Sequence, residues 1–247
     1  MSSRMQIADP DPGPNGSRLS PPRAMAGLAA VYALCLLPAA QILTGEALIL
    51  PAAGFALAAA VPVACLRRHR PAPRLGPANA VTLARLALMS LFLAPLVRPD
   101  LLEGGTGWGF LALALFTLAL DGVDGCLARR TGLAGAWGAR FDMEADAAFA
   151  LLLAGVAWRS GGLGAWVLLL GGMRYLFVAA ALAWPPLGAP LPESRARKTV
   201  CVIQIATLAL LLAPPVAPPW SQAAAAAALG LLGWSFARDI LWLAARR

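Results

Sequence analysis

Between positions 121 and 146 the chain sets four aspartates and an arginine among strongly apolar residues: Asp121, Asp124, Arg129, Asp142 and Asp146, with Gly125, Ala128 and Gly138 interspersed. Ionised side chains at membrane depth are costly, so a cluster of them marks a functional site by default. Asp121 and Asp124 are three residues apart and Asp142 and Asp146 four apart, so each pair shares one face of a helix. Gly132, Gly135 and Gly138 fall in or beside the short connection, which lets the chain reverse and the two faces converge. Converging carboxylates need cations. Oxygen-only ligands favour hard divalent ions, Mg²⁺ or Mn²⁺, which commonly share a few carboxylates with phosphate oxygens. Such ions offset the charge of a pyrophosphate and stabilise charge developing on a transferring phosphoryl group. Arg129 can add bidentate phosphate contacts, and Gly122, Gly125 and Ala128 leave space on the helix surface for a ligand to approach the backbone. The plainer reading is that the acids only tie helix ends together through Arg129, Arg130 and Arg140. Counting Glu144, the acids outnumber those arginines, so pairing alone leaves charge unbalanced.

The elements that must position these groups are membrane helices. Hydrophobic residues make up 60% of the 247 and charged ones 13%, with a mean hydropathy of +0.71, far outside the range of soluble domains. Several apolar runs reach the roughly 20 residues that cross a bilayer core of about 30 Å, and they lack the alternation of barrel strands. The expected fold is all-α: a polytopic membrane helix bundle. Spans are predicted at 24–43, 47–66, 78–97, 106–128, 138–158, 163–184, 198–214 and 221–243. Residues 1–23 lack an apolar face and read as a mobile tail. The break at 67–76, RRHRPAPRLG, divides a two-helix leader, 24–66, from a six-helix remainder, 67–247. Pro51 and Pro62 predict a kink in the second span, and Trp137, Trp158, Trp184 and Trp220 sit near span ends, as interfacial aromatics do.

The formal charge of +8 is explained by topology rather than by nucleic acid. Arg and Lys concentrate before the first span, after the second, between the fourth and fifth, between the sixth and seventh, and at the C-terminus. The opposite connections carry little beyond Arg98 and Arg159, so both termini and the aspartate cluster are expected to face the cytoplasm. Lys198 is the single lysine beside an excess of arginine, and Ala, Gly and Pro abound. That bias follows GC-rich codons and points to a bacterial cell (inner) membrane. The one histidine, His69, lies in the arginine-rich break, so no imidazole site competes for metal. Cys35, Cys65, Cys126 and Cys201 are scattered one per apolar segment without metal or redox spacing, and read as small core residues.

The stretch D-x2-D-G-x2-A-R-x8-G-x3-D-x3-D, filled at every fixed position by Asp121, Asp124, Gly125, Ala128, Arg129, Gly138, Asp142 and Asp146, resembles the signature of the CDP-alcohol phosphatidyltransferases. The resemblance implies a six-helix core resembling that family's and Mg²⁺ or Mn²⁺ held by Asp121, Asp124, Asp142 and Asp146. It makes Asp146 the catalytic general base for the acceptor hydroxyl. The reaction implied is attack of an alcohol oxygen on the phosphorus of a CDP-alcohol, usually CDP-diacylglycerol, with release of CMP in phospholipid biosynthesis.

A second patch, Asn79-Ala-Val-Thr82-Leu-Ala-Arg85, looks like the family's [ND]-x-x-T segment, by which Asn79 and Thr82, with Gly125 and Arg129, would hold the CDP donor. A small or phosphorylated alcohol acceptor would find a basic pocket among Arg140, Arg174, Arg195, Arg197 and Lys198. Arg174 is the most suggestive, because a charge within the sixth span should face the bundle or a watery cavity. A homodimer in the lipid membrane is a family expectation. Phosphatidylglycerophosphate synthases typically read D-P-x-A-D-K where this chain has Asp142-Met-Glu-Ala-Asp146-Ala147, so the resemblance stops at the superfamily reaction. The alternatives are an intramembrane prenyltransferase, which normally needs two separate aspartate-rich motifs, and a cation or proton transporter using the same carboxylates, which would not need Gly125, Ala128 and Arg129 at these offsets.

Overall fold

Long apolar runs punctuated by proline and glycine can satisfy their backbone groups in lipid only as helices, and helices make up most of the described residues. The computed structural model describes residues 21–44, 49–69, 77–131, 136–189, 191–192 and 194–245. It has helices α1 (Pro21–Thr44), α2 (Ile49–His69), α3 (Pro77–Ser90), α4 (Leu93–Val97), α5 (Gly104–Thr131), α6 (Ala136–Arg159), α7 (Leu168–Ala183), α8 (Arg195–Leu210) and α9 (Trp220–Ala244). Short 3-10 turns join α4 to α5, α6 to α7 and α7 to α8. No strand occurs among the described residues. The expected mobile tail, 1–23, lies almost wholly outside them.

Every predicted span coincides with a helix or a helix pair. The third span is broken in two for a local reason: Pro95 cannot donate to the carbonyl of Leu91, and the Ser90 hydroxyl donates to Ala87 O at 2.6 Å. Leu91 and Phe92 make tighter bonds back to Leu88 and Met89 instead. Among the described residues five helical stretches are long and apolar enough to cross a membrane: Pro22–Thr44, Pro77–Val97, Gly104–Leu127, Ala165–Ala183 and Trp220–Ala244. The remaining three expected spans are helices as well, but α2 has a shorter apolar stretch, Ile49–Cys65, α8 has 16 residues and opens on Arg195, Arg197 and Lys198, and α6 carries Arg140, Asp142, Glu144 and Asp146. The charges that lower their hydropathy include those of the candidate site. Large apolar side chains such as Leu34, Leu57, Leu182 and Leu241 point outward; lipid, not water, is the solvent that makes this cheap. The protein is a multi-pass membrane protein.

α3 is the innermost element. The α3–α4 span is 61% buried, against 11% for α1 and 17% for α7. It packs on α1, α2, α5 and α6, while α8 packs on both α5 and α6. Phe92, Phe110 and Phe149, all fully buried, meet edge to face with centroids 5.6 Å apart on either side of Phe92. Such contacts contribute about 0.5–1.5 kcal/mol each beyond the area they bury, and they tie the α3–α4 turn to α5 and α6. The leader helices join the same assembly. Tyr32 Oη of α1 donates to Ala80 O of α3 at 3.2 Å, and Trp137 Nε1 of α6 donates to Cys65 Sγ of α2 at 3.3 Å.

The cysteines correct the expectation of core positions: Cys35 and Cys201 are exposed and Cys65 and Cys126 only partly buried. In a bilayer an outward face is as apolar as an inward one, so an apolar run does not say which way a small residue points. Pro62 lies within α2, and the helix continues through it.

Candidate active site

Asp121 stands in the C-terminal part of α5, and Asp142 and Asp146 one turn apart in the first half of α6. The ligand oxygens of these three carboxylates lie within 4.8 Å of one another. The two helix faces therefore converge as their spacing requires. The connection that carries Gly132 and Gly135 lies outside the described residues, as do the side chains of Asp124, Ala128 and Arg129.

A residue from a third helix contacts all three acids. Arg85 of α3 is completely buried, whereas Asp121, Asp142 and Asp146 keep 25, 34 and 29% of their side chains exposed. Its Nη1 lies 2.9 Å from Asp121 Oδ1 and 2.6 Å from Asp142 Oδ1, and its Nη2 donates to Asp146 Oδ1. The guanidinium fork thus closes the inner side of the cluster and leaves the carboxylates open on the other. A planar fork with several donors can hold separate carboxylates in one fixed geometry, where the point charge of a lysine could not.

Arg85 lies outside the aspartate motif, and the balance of its acids against Arg129, Arg130 and Arg140 does not include it. The signal was available. A charge in the middle of an apolar span demands a partner, which is the argument applied to Arg174, and Arg85 continues the three-residue spacing of Asn79 and Thr82 along one face of α3.

The donor-binding candidates are placed as follows. Thr82 is buried and its hydroxyl donates to Ala78 O at 3.1 Å. Asn79 lies against Gly138 of α6, where an added Cβ would come within 3.2 Å of its Oδ1. Gly138 thus permits close approach of α6 to the Asn79 carboxamide. Around Gly122 no heavy atom lies within 4 Å of a built Cβ, and Gly125 is partly exposed, so the α5 face beside Asp121 has room for a ligand.

The basic candidates have the following partners and exposures. Arg174 Nη2 pairs with Glu144 Oε1 at 2.5 Å. The structure thereby gives Arg174 an acidic partner from α6, which the sequence reading had treated separately. Arg197 pairs through Nε with Asp239 Oδ2 of α9 at 3.1 Å and donates to Pro192 O at 2.8 Å. Arg140, Arg195 and Lys198 are exposed. Asp239, the acid that captures Arg197, lies in the last helix, far in sequence from the motif, and for that reason went unnoticed.

The all-oxygen donor set, drawn from two helices and open on one side, fits a hard divalent cation. It offers no thiolate or imidazole among the described residues of the cluster. Residues 76–237, well over half of the chain, match the model of the CDP-alcohol phosphatidyltransferase family. Neither curated proteins nor solved structures gave a match. A match over the helices that carry Arg85, the motif and the three converging carboxylates identifies this chain as a member of the CDP-alcohol phosphatidyltransferase family, membrane enzymes that use a divalent metal to transfer a phosphoalcohol group from a CDP-alcohol in phospholipid synthesis.

Proposed function

We propose that the protein transfers the phosphatidyl group of CDP-diacylglycerol, or of a related CDP-alcohol, to an alcohol acceptor and releases CMP. The observation that carries this reading is the convergence of Asp121, Asp142 and Asp146 within the family match. Asp121, Asp124, Asp142 and Asp146 would hold Mg²⁺ or Mn²⁺. When bound, the ion offsets pyrophosphate charge and stabilises charge on the transferring phosphoryl group. Asn79, Thr82, Gly125 and Arg129 would bind the cytidine and phosphates of the donor.

The acceptor oxygen forms a bond to the lipid-linked phosphorus as the bond from that phosphorus to the CMP oxygen breaks. The hydroxyl proton passes to Asp146, whose carboxylate Arg85 holds in orientation, in the manner of a base steadied by a third group. Arg140, Arg174, Arg195 and Lys198 form the basic surroundings from which an anionic acceptor would draw its contacts, with Arg174 shared with Glu144.

The arginine-rich connections support a cell-membrane enzyme with both termini and the site on the cytoplasmic side. In this reading 24–66 is a leader and 67–247 the core, and the family match over 76–237 lies within that core.

The test is a screen of candidate alcohols with CDP-diacylglycerol in detergent, reading CMP release and the mass of the lipid product. Product formation with one alcohol class confirms the reading and names the acceptor. A protein that moves cations across liposomes and releases no CMP with any donor would overturn it.

A further inference from the structure

We propose that Arg85 is the resident cation of the carboxylate cluster, assembling it in the absence of metal and limiting how tightly it holds a divalent ion. The proposal rests on the metal reading given above. Among the described residues, three carboxylates from α5 and α6 meet in an apolar bundle against a guanidinium from α3 that is fully buried. The three carboxylates that Arg85 contacts are the same three whose ligand atoms come close enough to share an ion. A divalent cation bound among them stands within a few ångströms of the guanidinium. Like charges at that separation repel, more strongly the less water lies between them. Their coupling is therefore unfavourable and reciprocal: Arg85 weakens the ion's hold by the factor that the ion weakens Arg85's. Without Arg85 the opposite problem arises, because partly buried carboxylates that lose a buried counter-charge are costly. One residue thus gives the metal-free protein a stable site and keeps the bound ion exchangeable.

The test uses the full chain in detergent and Mn²⁺ alone as the probe, with free Mn²⁺ followed by electron paramagnetic resonance and stability by thermal unfolding. Arg85→Gln keeps hydrogen-bond donors and removes the charge. It is expected to bind Mn²⁺ about tenfold more tightly than wild type, equivalent to about 1.4 kcal/mol. It should also melt below wild type in EDTA, with the deficit closing at saturating Mn²⁺. Arg85→Lys keeps the charge and should bind Mn²⁺ nearly as wild type does. In the wild type, Mg²⁺ should shift one guanidinium ¹⁵N resonance, the one missing from Arg85→Lys; this arm stands even if Arg85→Gln fails to fold.

Equal or weaker Mn²⁺ binding by Arg85→Gln, a melting deficit that is the same with and without Mn²⁺, or an Arg85 resonance indifferent to Mg²⁺ would overturn the proposal while leaving the metal site intact. Absence of Mn²⁺ binding by wild type would remove the metal reading and this inference with it.

Discussion

Gly171 of α7 is seated directly on the backbone of α6. A Cβ built there would lie 2.3 Å from Leu151 Cα, 2.6 Å from Leu151 N and 2.6 Å from Ala150 O, whereas ordinary contact begins near 3.4 Å. Backbone cannot rotate aside as a side chain can, so Gly171→Ala must part the two helices by about 1 Å. Overpacking of this kind costs about 1–3 kcal/mol, against a gain of about 1 kcal/mol from replacing glycine by alanine inside a helix.

The displacement falls on the segment one turn beyond Asp146. A shift of about 1 Å at the reacting groups can cost on the order of 100-fold in rate, so turnover should drop by roughly 10- to 100-fold with a modest loss of stability. The neighbouring Gly172 has nothing within 4 Å of a built Cβ, which makes Gly172→Ala the internal control, expected to match or slightly exceed wild-type stability. Both variants would be followed by thermal unfolding in detergent and by CMP release. If Gly171→Ala and Gly172→Ala behave alike in both assays, the argument that α7 sets the position of α6 and its carboxylates is wrong.

Other outcomes concern the site itself. Asp146→Asn should keep the fold and donor binding while losing at least about 100-fold in turnover, the scale of general-base catalysis; near-normal CMP release from that variant would refute the assignment. Activity should vanish in chelator and return with Mg²⁺ or Mn²⁺, as read by lipid product mass. Gly138→Ala pushes on Asn79 Oδ1, so KM for the CDP donor should rise several-fold with little change in melting temperature; an unchanged KM would remove Asn79 from the donor site.

Most of the architecture was legible because a bilayer imposes one solution on a long apolar run, and each predicted span is occupied by helix. The break at Leu91–Phe92 was not read, because it depends on Ser90 and Pro95 acting together over a few residues. The acids were legible as two helical faces, since spacing alone puts Asp142 beside Asp146. Arg85 was legible only as a charge inside an apolar span that needs a partner; which acids it meets depends on α3 packing against both α5 and α6, an arrangement that local spacing does not encode. Arg174 illustrates the converse: the demand that an intramembrane charge find a partner was sound, and the structure supplies Glu144 as one. The outward cysteines share this cause, since hydropathy marks depth in the membrane and not direction.

The hydrogen bond from Tyr32 to Ala80 lands one residue from Asn79, and the bond from Trp137 to Cys65 starts one residue from Gly138. The N-terminal hairpin therefore holds α3 beside Asn79 and α6 beside Gly138, although it lies outside the stretch by which the family is recognised. Cutting the chain at residue 76 would leave every motif residue in place and slacken the hinge between them, so the shortest recognisable enzyme and the shortest working one need not be the same length.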